Sequence, residues 1–461
     1  MIKAALLTNS EAWQNLLIQM GICYEIISDS GYMEIPRDCT LFIINSSLSV
    51  SARQFIEKLD LTKISIITTP EASKTSEKDD MKTECEYNNE KYYFDRPLIF
   101  YHKSDRIIKN STFLPFSLDE AFEWTGSKRK QFYAKTKELP TENVCKTNLQ
   151  DVFRYVWNLI VDVITEKKGD MDIYSILPEN KPLLIFRIDT DFGLENDIND
   201  LYNICREKNI AASWFVDTFS EKMIDAYTGF EDQEIALHCD RHYVYKKMEQ
   251  NERNIVRANQ NLLNSGCAPR GFAAPFGDWN PGLETVLFNH DYLYSSEFSF
   301  AYNCLPIIRW HDESRMLQIP VHPINPSRLR RSHFTDVEMV DYYIDWIEQC
   351  RQRRIPAIIY QHPNKRLNAV IAKVFDYVNK AEFNNLTFEN YATWWLKRAD
   401  IICQRNTDEL MLKTSLKKDI INYPEDYDRI YNKSWRYLQH ELEAAKSRAH
   451  FKKSGYPQHL I

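Results

Sequence analysis

Glycine is scarce in this chain of 461 residues, occurring 11 times against a usual share of about 7%. The sequence has neither the G-x-G-x-x-G pattern of a dinucleotide-binding turn nor a P-loop, so neither type of nucleotide site is indicated. No stretch approaches the ~20 apolar residues of a membrane span, and the apolar run at the start is shorter than the roughly 7–15 residues of a signal-peptide core. These absences predict a cytoplasmic location.

Paired cysteines and an excess of positive charge are also missing. The 10 cysteines include no C-x-x-C pair, which is typical of reduced, mostly buried thiols. The chain has 58 Lys and Arg against 65 Asp and Glu, a formal net charge of −7, whereas nucleic-acid-binding domains are usually basic. With 44% hydrophobic and 27% charged residues, the composition is that of a globular protein, and we expect no nucleic-acid partner.

The N-terminal part alternates between short apolar runs and amphipathic stretches. Residues 2–7 indicate a strand, and a helix is expected to follow Ser10, which suits an N-cap. The alternation predicts a small parallel α/β domain of flavodoxin or Rossmann type over residues 1–110, with no readable site. A connecting region over 111–178 contains an amphipathic helix, and the polar residues 71–90 are expected to form a loop or linker.

From residue 179 the alternation becomes regular. Seven short apolar runs are separated by helical stretches, and strands this apolar are typical of a parallel sheet that is buried on both faces. Closing such a sheet removes its open edges, so we expect a distorted (β/α)7 barrel over residues 179–400. Residues 401–461 lack the alternation and are predicted to form a helical, basic extension: either a solvated helix or one that contacts an anionic membrane surface or a partner.

Polar residues that can carry chemistry follow several of these predicted strands. Asp189 and Asp191 follow the first strand, His238 and His242 the third, and His362 the last. The C-terminal ends of barrel strands meet at one face, where we expect these side chains to gather. Two imidazoles and a carboxylate suit Zn²⁺ or a similar divalent ion and leave positions open, as catalytic metal sites do. A second carboxylate as base and a further imidazole as acid would supply what amide hydrolysis needs.

These motifs resemble those of the polysaccharide deacetylases with NodB homology (carbohydrate esterase family 4), over roughly residues 180–400. Residues 187–191 (RIDTD) are similar to the family's first motif in its D-x-D version, and 238–242 (HCDRH) to its second, H-(S/T)-x-x-H. Residues 273–277 (AAPFG) align with R-x-P-(Y/F)-G, and 360–362 (YQH) with L-x-H. The resemblance implies a barrel of the NodB-homology type.

The resemblance also implies a role for the matched residues. It implies that Asp191, His238 and His242 hold a divalent metal, which we expect to be Zn²⁺. It implies that Asp189 is the general base and that His362 is the general acid.

Four further residues are candidates for contact with the substrate. The resemblance implies that the backbone around Phe276 and Gly277 helps to hold the substrate or the oxyanion. Tyr360 replaces the leucine that usually lines the acetyl pocket, which would reshape that pocket. Trp279 is either a core aromatic or a platform on which a sugar ring stacks.

One departure from the family concerns the arginine that holds the base carboxylate, since this position is Ala273 here. Arg187 lies on the same face of the strand as Asp189 and is a candidate to orient it. Arg241 and Arg270 are the other candidates.

The predicted function is that of a metal-dependent hydrolase that removes an N-acyl group, such as acetyl, from a carbohydrate. A cytoplasmic location would favour a lipid-linked or nucleotide-linked glycan precursor as the substrate. Two alternatives stay open: a C–N hydrolase for a small non-sugar amide, and a catalytically degenerate protein that binds carbohydrate or scaffolds a partner. The replacement at Ala273 motivates the last of these. The sequence leaves the oligomeric state open.

Overall fold

The fold is described from a computed structural model of the chain. The structure describes residues 2–28, 36, 38–45, 49–60, 62–70, 80–102, 108, 110–134, 137–168, 172–191, 193–219, 224–403 and 413–417. Most of the predicted C-terminal extension, including its basic stretch, lies outside the described residues, so that helix stays a prediction. Within the described part of the chain, no helix is both long and apolar enough to cross a bilayer.

The N-terminal part is built on a parallel sheet. Its elements are β1 (Lys3–Leu7), α1 (Glu11–Met20), β2 (Cys23–Ile26), β3 (Leu41–Asn45), α2 (Val50–Ile56), β4 (Ser65–Thr69), β5 (Asp80–Tyr87), β6 (Glu90–Phe100) and β7 (Thr112–Phe113). Five of these strands pair in parallel in the order β2-β1-β3-β4-β7. The side chain of Ser10 accepts a hydrogen bond from the backbone N–H of Trp13, as an N-cap of α1 should. The predicted parallel α/β character is confirmed.

The expected loop over residues 71–90 is wrong for residues 80–90. Strands β5 and β6 form a long antiparallel hairpin. Its turn contains Asn88 and Asn89 with φ of 51° and 63°, the left-handed conformation that two-residue hairpin turns require and asparagine tolerates. The side chains of β5 are exposed or half-buried, so the strand lacks the apolar run that would have revealed it.

The connecting region forms a short arm and one long helix. It contains α3 (Leu118–Phe122), β8 (Ser127–Lys130), β9 (Tyr133–Ala134), β10 (Lys137–Glu138), β11 (Glu142–Cys145), α4 (Leu149–Lys168) and β12 (Asp172–Tyr174). Strands β8 and β11 pair antiparallel, as do β9 and β10. We call residues 127–134 and 137–145 the arm. The backbone N–H of Cys145 donates to the carbonyl oxygen of Phe298 at 3.0 Å, which ties the arm to the barrel strands described next.

The C-terminal part alternates between strands and helices. Its elements are β13 (Leu183–Asp189), α5 (Glu195–Glu207), β14 (Ala212–Asp217), β15 (Glu234–Cys239), α6 (Met248–Asn264), β16 (Gly271–Phe272), α7 (Pro281–Asn289), β17 (Tyr294–Ser295), β18 (Ile307–His311), β19 (Ser314–Gln318), α8 (Pro326–Arg331), α9 (Asp336–Arg353), β20 (Ala357–Gln361), α10 (Lys365–Lys380), β21 (Asn384–Leu386), α11 (Phe388–Ile402) and β22 (Lys413–Ser415). Strand β22 pairs with β12, and β21 pairs with β13.

Seven strands form the parallel series that the sequence predicts. They run in the order β19-β17-β16-β15-β14-β13-β20, and β18 adds an antiparallel strand beside β19. The backbone N–H of His322, just after β19, donates to the carbonyl oxygen of Ile358 in β20 at 3.0 Å. This bond links the two ends of the series, so the sheet curves back on itself as a barrel. The carboxyl ends of the strands therefore lie at one face.

The N-terminal sheet and the barrel share one hydrophobic core. Helix α1 packs Trp13 and Leu16 into the same buried cluster as Trp395 of α11. The buried amide of Asn15 donates to the carbonyl oxygen of Ile308 at 3.0 Å and accepts from its N–H at 2.7 Å. Helix α1 is thus hydrogen-bonded to the edge of β18 that does not pair with β19. The division of the chain at residues 110, 178 and 400 stays a prediction.

We predict that Asn15→Ala lowers the free energy of unfolding by about 1–3 kcal/mol, because it leaves a buried N–H and a buried carbonyl of β18 without partners. Urea unfolding followed by circular dichroism measures the change. Gln352→Ala, the same kind of truncation on the exposed side of α9, is the matched control and should stay within about 0.5 kcal/mol. Equal effects of the two substitutions would contradict the role assigned to Asn15.

Candidate active site

Strand β13 ends in a sharp turn that brings Asp191 to the carboxyl face of the barrel. The N–H of Gly193 donates to the carbonyl oxygen of Thr190 at 2.6 Å. A Cβ on Gly193 would lie 2.7 Å from that oxygen, so the turn requires glycine. The Asp191 side chain is 21% exposed and faces the cleft described below.

The carboxylate of Asp191 meets imidazoles from two other strand ends. The Nε2 atoms of His238 and His242 each lie 2.8 Å from Asp191 Oδ1, and Nε2 of His362 lies 3.0 Å from Oδ2. Asp191, His238 and His242 each offer one ligand atom, and these atoms lie within 4.8 Å of one another. The structure thus brings together the three residues expected to hold a metal and places the expected acid, His362, beside them.

The hydrogen bonding of His238 suits a metal ligand. Its Nδ1 lies 2.6 Å from the carbonyl oxygen of Ala273, which can only accept, so Nδ1 carries the proton and Nε2 has a free lone pair. Nε2 is buried and has no hydrogen-bond partner among the described atoms, because its 2.8 Å approach to Asp191 lacks hydrogen-bond geometry. A backbone carbonyl that fixes the tautomer is the usual outer partner of a metal-bound histidine. The donor set therefore fits a divalent cation.

The charges at this cluster favour an ionised carboxylate. Burial alone would raise the pKa of Asp191, but the neighbouring imidazoles, His238 foremost, hold it well below its usual range. Burial alone would lower the pKa of His238, and the Asp191 carboxylate outweighs burial and raises it. Without a cation, the carboxylate therefore favours a proton on His238, the place that a metal ion would take.

Asp189, the expected base, is held apart from this cluster by a buried arginine. Arg187 donates from Nε to one carboxylate oxygen of Asp189 at 2.6 Å and from Nη2 to the other at 2.8 Å. Its remaining Nη1 donates to the carbonyl oxygen of Ser296 at 2.6 Å. Both side chains are buried, with 1% and 5% exposed. Of the three arginines that the sequence offered to orient Asp189, Arg187 is therefore the one that binds its carboxylate.

A polar network behind Arg187 fixes the segment that follows β17. The fully buried carboxylate of Glu297 accepts from the Ser295 hydroxyl at 2.9 Å, from the Gln318 amide at 2.6 Å and from the backbone N–H of Ala274 at 3.2 Å. Burial raises the pKa of Glu297 to about 7. The network positions the carbonyl of Ser296 for Arg187.

The expected substrate-binding residues divide into two groups. Phe276, Gly277 and Tyr360 line a cleft of about 820 Å³ together with Asp189, Asp191 and His362. Gly277 has φ of 61°, and a Cβ there would lie 2.5 Å from the ring of Phe298. Trp279 does not line this cleft: its buried ring packs against Trp124 at 4.6 Å and Phe300 at 4.9 Å. Of the two interpretations of Trp279, the structure supports the core aromatic.

The cleft also has walls that no motif predicted. The arm contributes Arg129 and Glu142, and the chain around α8 contributes Arg328 and Arg331. Glu142 and Arg328 form an ion pair, in which Nη2 lies 3.1 Å from Oε2. The alternative base-orienting candidates lie elsewhere, since Arg270 pairs with Glu389 and Arg241 is exposed beside Asp240; neither is seen to contact Asp189.

We predict that Arg187→Met destabilises the protein by about 3–5 kcal/mol, because it leaves the buried Asp189 carboxylate without its counter-charge. Urea unfolding in chelator-containing buffer measures the change. Combining it with Asp189→Leu should recover part of the loss. Arg309→Met, which breaks the more exposed pair with Glu284, is the control and should cost at most about 1 kcal/mol. A loss for Arg187→Met no larger than the control's would refute the buried pair.

Stability should also fall with pH through Glu297. Its pKa rises from 4.5 in the unfolded chain to about 7 in the fold, so its contribution is complete below about pH 4.5 and is lost as the pH rises through about 7. Glu297→Gln keeps the shape and removes the titration. We expect unfolding free energies measured from pH 4.5 to 7.5 to fall less steeply for this variant. Parallel curves for the two proteins would count against the assignment.

No protein-family model and no curated protein sequence matches the chain.

Solved structures do resemble it. A protein named as a polysaccharide deacetylase from Mycobacterium smegmatis is 15% identical, with a TM-score of 0.43, covering 54% of this chain and 96% of that one. Another so named from Pseudomonas aeruginosa is 15% identical, with a TM-score of 0.42, covering 50% and 96%. A family 4 carbohydrate esterase pseudoenzyme from Bacillus anthracis is 13% identical, with a TM-score of 0.36, covering 59% and 91%. The chain is similar to polysaccharide deacetylases over about half of its length.

Proposed function

We propose that this protein is a metal-dependent hydrolase that removes an N-acyl group from a carbohydrate. One observation carries the proposal. Asp191, His238 and His242 converge to within 4.8 Å, while a second carboxylate, Asp189, is held separately by Arg187 in the same cleft. A site for a cation and a distinct, oriented base are the two parts that hydrolysis of an amide requires.

Asp191, His238 and His242 would hold the metal, and their nitrogen-rich donor set favours Zn²⁺. When bound, such an ion polarises an amide carbonyl and lowers the pKa of water. The chain's own contribution is preorganisation. Ala273 fixes the tautomer of His238, and the Gly193 turn aims Asp191 into the cleft.

Asp189 would take the proton from the attacking water. The two hydrogen bonds from Arg187 occupy one lone pair on each carboxylate oxygen and leave the others able to accept. The same bonds hold the carboxylate in one orientation; without them, the Asp189 side chain could rotate. Arg187 thus acts as a positioning residue for the base.

His362 would give a proton to the leaving amine. Its Nε2 lies 3.0 Å from Oδ2 of Asp191, whereas the Nε2 atoms of His238 and His242 lie 2.8 Å from Oδ1. The imidazole is 28% exposed and lines the cleft, so it can meet a substrate from the solvent side. One carboxylate therefore serves a cation through one oxygen and orients the acid through the other.

The shape of the cleft supports a carbohydrate over a small amide. A volume of about 820 Å³ lies toward the upper end of ligand pockets, which span roughly 300–1,000 Å³. The ring of Phe276 is 63% exposed at the cleft and offers an apolar face, while Asn143, Asn325 and Ser327 offer hydrogen-bonding groups. These residues do not form a narrow aromatic pocket, which would favour a small non-sugar amide.

The alternative of a catalytically degenerate, carbohydrate-binding or scaffold protein rests on the alanine at position 273. Arg187 donates to both carboxylate oxygens of Asp189. The proposed base therefore has a positively charged partner although residue 273 is alanine and not arginine. This observation favours a working site over a binding protein that has lost its chemistry.

We predict that the purified protein binds one Zn²⁺ and that His238→Ala or Asp191→Ala loses it. Zinc content after dialysis, measured by mass spectrometry, is the direct test. His311→Ala changes an exposed histidine of β18 and is the control that should keep the metal. A wild-type protein that binds no divalent ion would overturn the metal site.

Asp189→Asn and His362→Gln should each keep the zinc and lower kcat by about 10²–10⁴, the range expected for removal of a general base or acid. The assay follows acetate release from N-acetylated amino sugars. Unchanged kcat in both variants would refute the proposed roles. A wild-type protein that holds zinc but releases no acyl group from any such sugar would refute the proposed activity.

A further inference from the structure

A second cavity continues from the cleft away from the metal cluster. It has about 550 Å³ and is lined by residues from the end of α8 and the start of α10. Ser327 and Arg331 line both spaces, so the two form one continuous groove. A substrate that extends from the cleft beyond Ser327 and Arg331 would meet this second cavity.

The second cavity is basic. Arg330, Arg331 and Arg366 line it, and no carboxylate does among the described residues. Arg330 is paired with Asp336. Arg331 and Arg366 are exposed, and in the described part of the chain neither is found in an ion pair. Two guanidinium groups are thus available to a ligand.

The start of α10 adds to this positive character. The first turn of α10 has no acidic residue and contains Lys365 and Arg366, although the partial positive charge of a helix N-terminus disfavours cations. Lys365 lies 3.7 Å from Asp200, and both are largely exposed. No such neighbour offsets Arg366 among the described residues. An anionic ligand at this position would offset both the two cations and the partial positive charge of the helix N-terminus.

The carboxylates elsewhere in the groove are paired mainly with other cations. Asp189 is paired with Arg187, and Glu142 is paired with Arg328; Arg331 interacts electrostatically with Glu142 but forms no ion pair with it among the described residues. Asp191 belongs to the cation site. Asp278 lies by Asn143 in the cleft and does not line the second cavity. The metal cluster and the basic cavity are therefore two separate sites along one groove.

We propose that the substrate is an N-acylated sugar that carries a phosphoryl group, which Arg331 and Arg366 bind in the second cavity. This proposal rests on the proposed function and names the class of its substrate. Guanidinium groups match the oxygens of phosphate in a bidentate manner. A dianionic phosphoryl group suits a cavity with two unpaired cations and a helix start better than a single carboxylate does.

Equilibrium binding to the zinc-loaded full chain tests the proposal. N-acetylglucosamine 1-phosphate, neutral N-acetylglucosamine and a disaccharide of glucuronate and N-acetylglucosamine are titrated calorimetrically at 50 and 200 mM salt. The proteins are the wild type, Arg331→Met/Arg366→Met, and Arg253→Met as a control on the exposed side of α6. Acetate release is measured on the same samples, and inorganic phosphate is titrated separately.

We expect the phosphorylated sugar to bind at least tenfold tighter than the neutral sugar, with a clear loss of affinity at higher salt. The double variant should lose this advantage and its inorganic phosphate binding, while its zinc content and its melting temperature stay unchanged. The control should behave as wild type. Because the variant keeps the zinc site, phosphate bound at the metal would persist in it and be distinguished.

Three outcomes would overturn the inference: no advantage for the phosphorylated sugar, an advantage that survives in the double variant, or equal affinity for the glucuronate disaccharide. Failure of the proposed function looks different. No acetate release from any of the sugars would reject the hydrolase, while loss of phosphate binding in the double variant would still establish the anion site.

Discussion

The buried pair of Arg187 and Asp189 is the constraint around which the site is arranged. Removing two charges from water is costly unless their geometry is good and the remaining hydrogen bonds are made. Here both carboxylate oxygens are bonded, and the third nitrogen of the guanidinium reaches the backbone at Ser296. The pair lies on one face of β13 because its members are two residues apart. The Asp189 carboxylate is therefore positioned by its own strand and by the segment after β17.

Much of the fold follows from the distribution of apolar residues. The runs in β13, β14 and β20 are buried throughout, which is why the parallel series was predictable. The hairpin of β5 and β6 was missed since its first strand is polar, and its signal is only the Asn88-Asn89 turn. The contact of Asn15 with β18 joins residues 293 positions apart, which no local pattern encodes.

The candidate site likewise has some residues that the sequence predicts and others that it does not. Asp191, His238, His242 and His362 were predictable because each follows a strand whose end must meet the others at one face. Trp279 was ambiguous, since a tryptophan beside a motif packs into a core or lines a cleft according to distant partners such as Trp124. No sequence motif marks the arginines that line the groove. Their meeting depends on how the arm, α8 and α10 are placed in space.

The arm lines the groove without contributing to the cluster around Asp191. It supplies one wall of the groove but none of the side chains that meet at Asp191, and it is fastened to the barrel by backbone and ion-pair contacts at its edge. The wall that the arm supplies and the side chains that meet at Asp191 therefore come from separate stretches of sequence. Sequence changes in the arm can alter this wall over evolutionary time while the residues that converge on Asp191 stay the same.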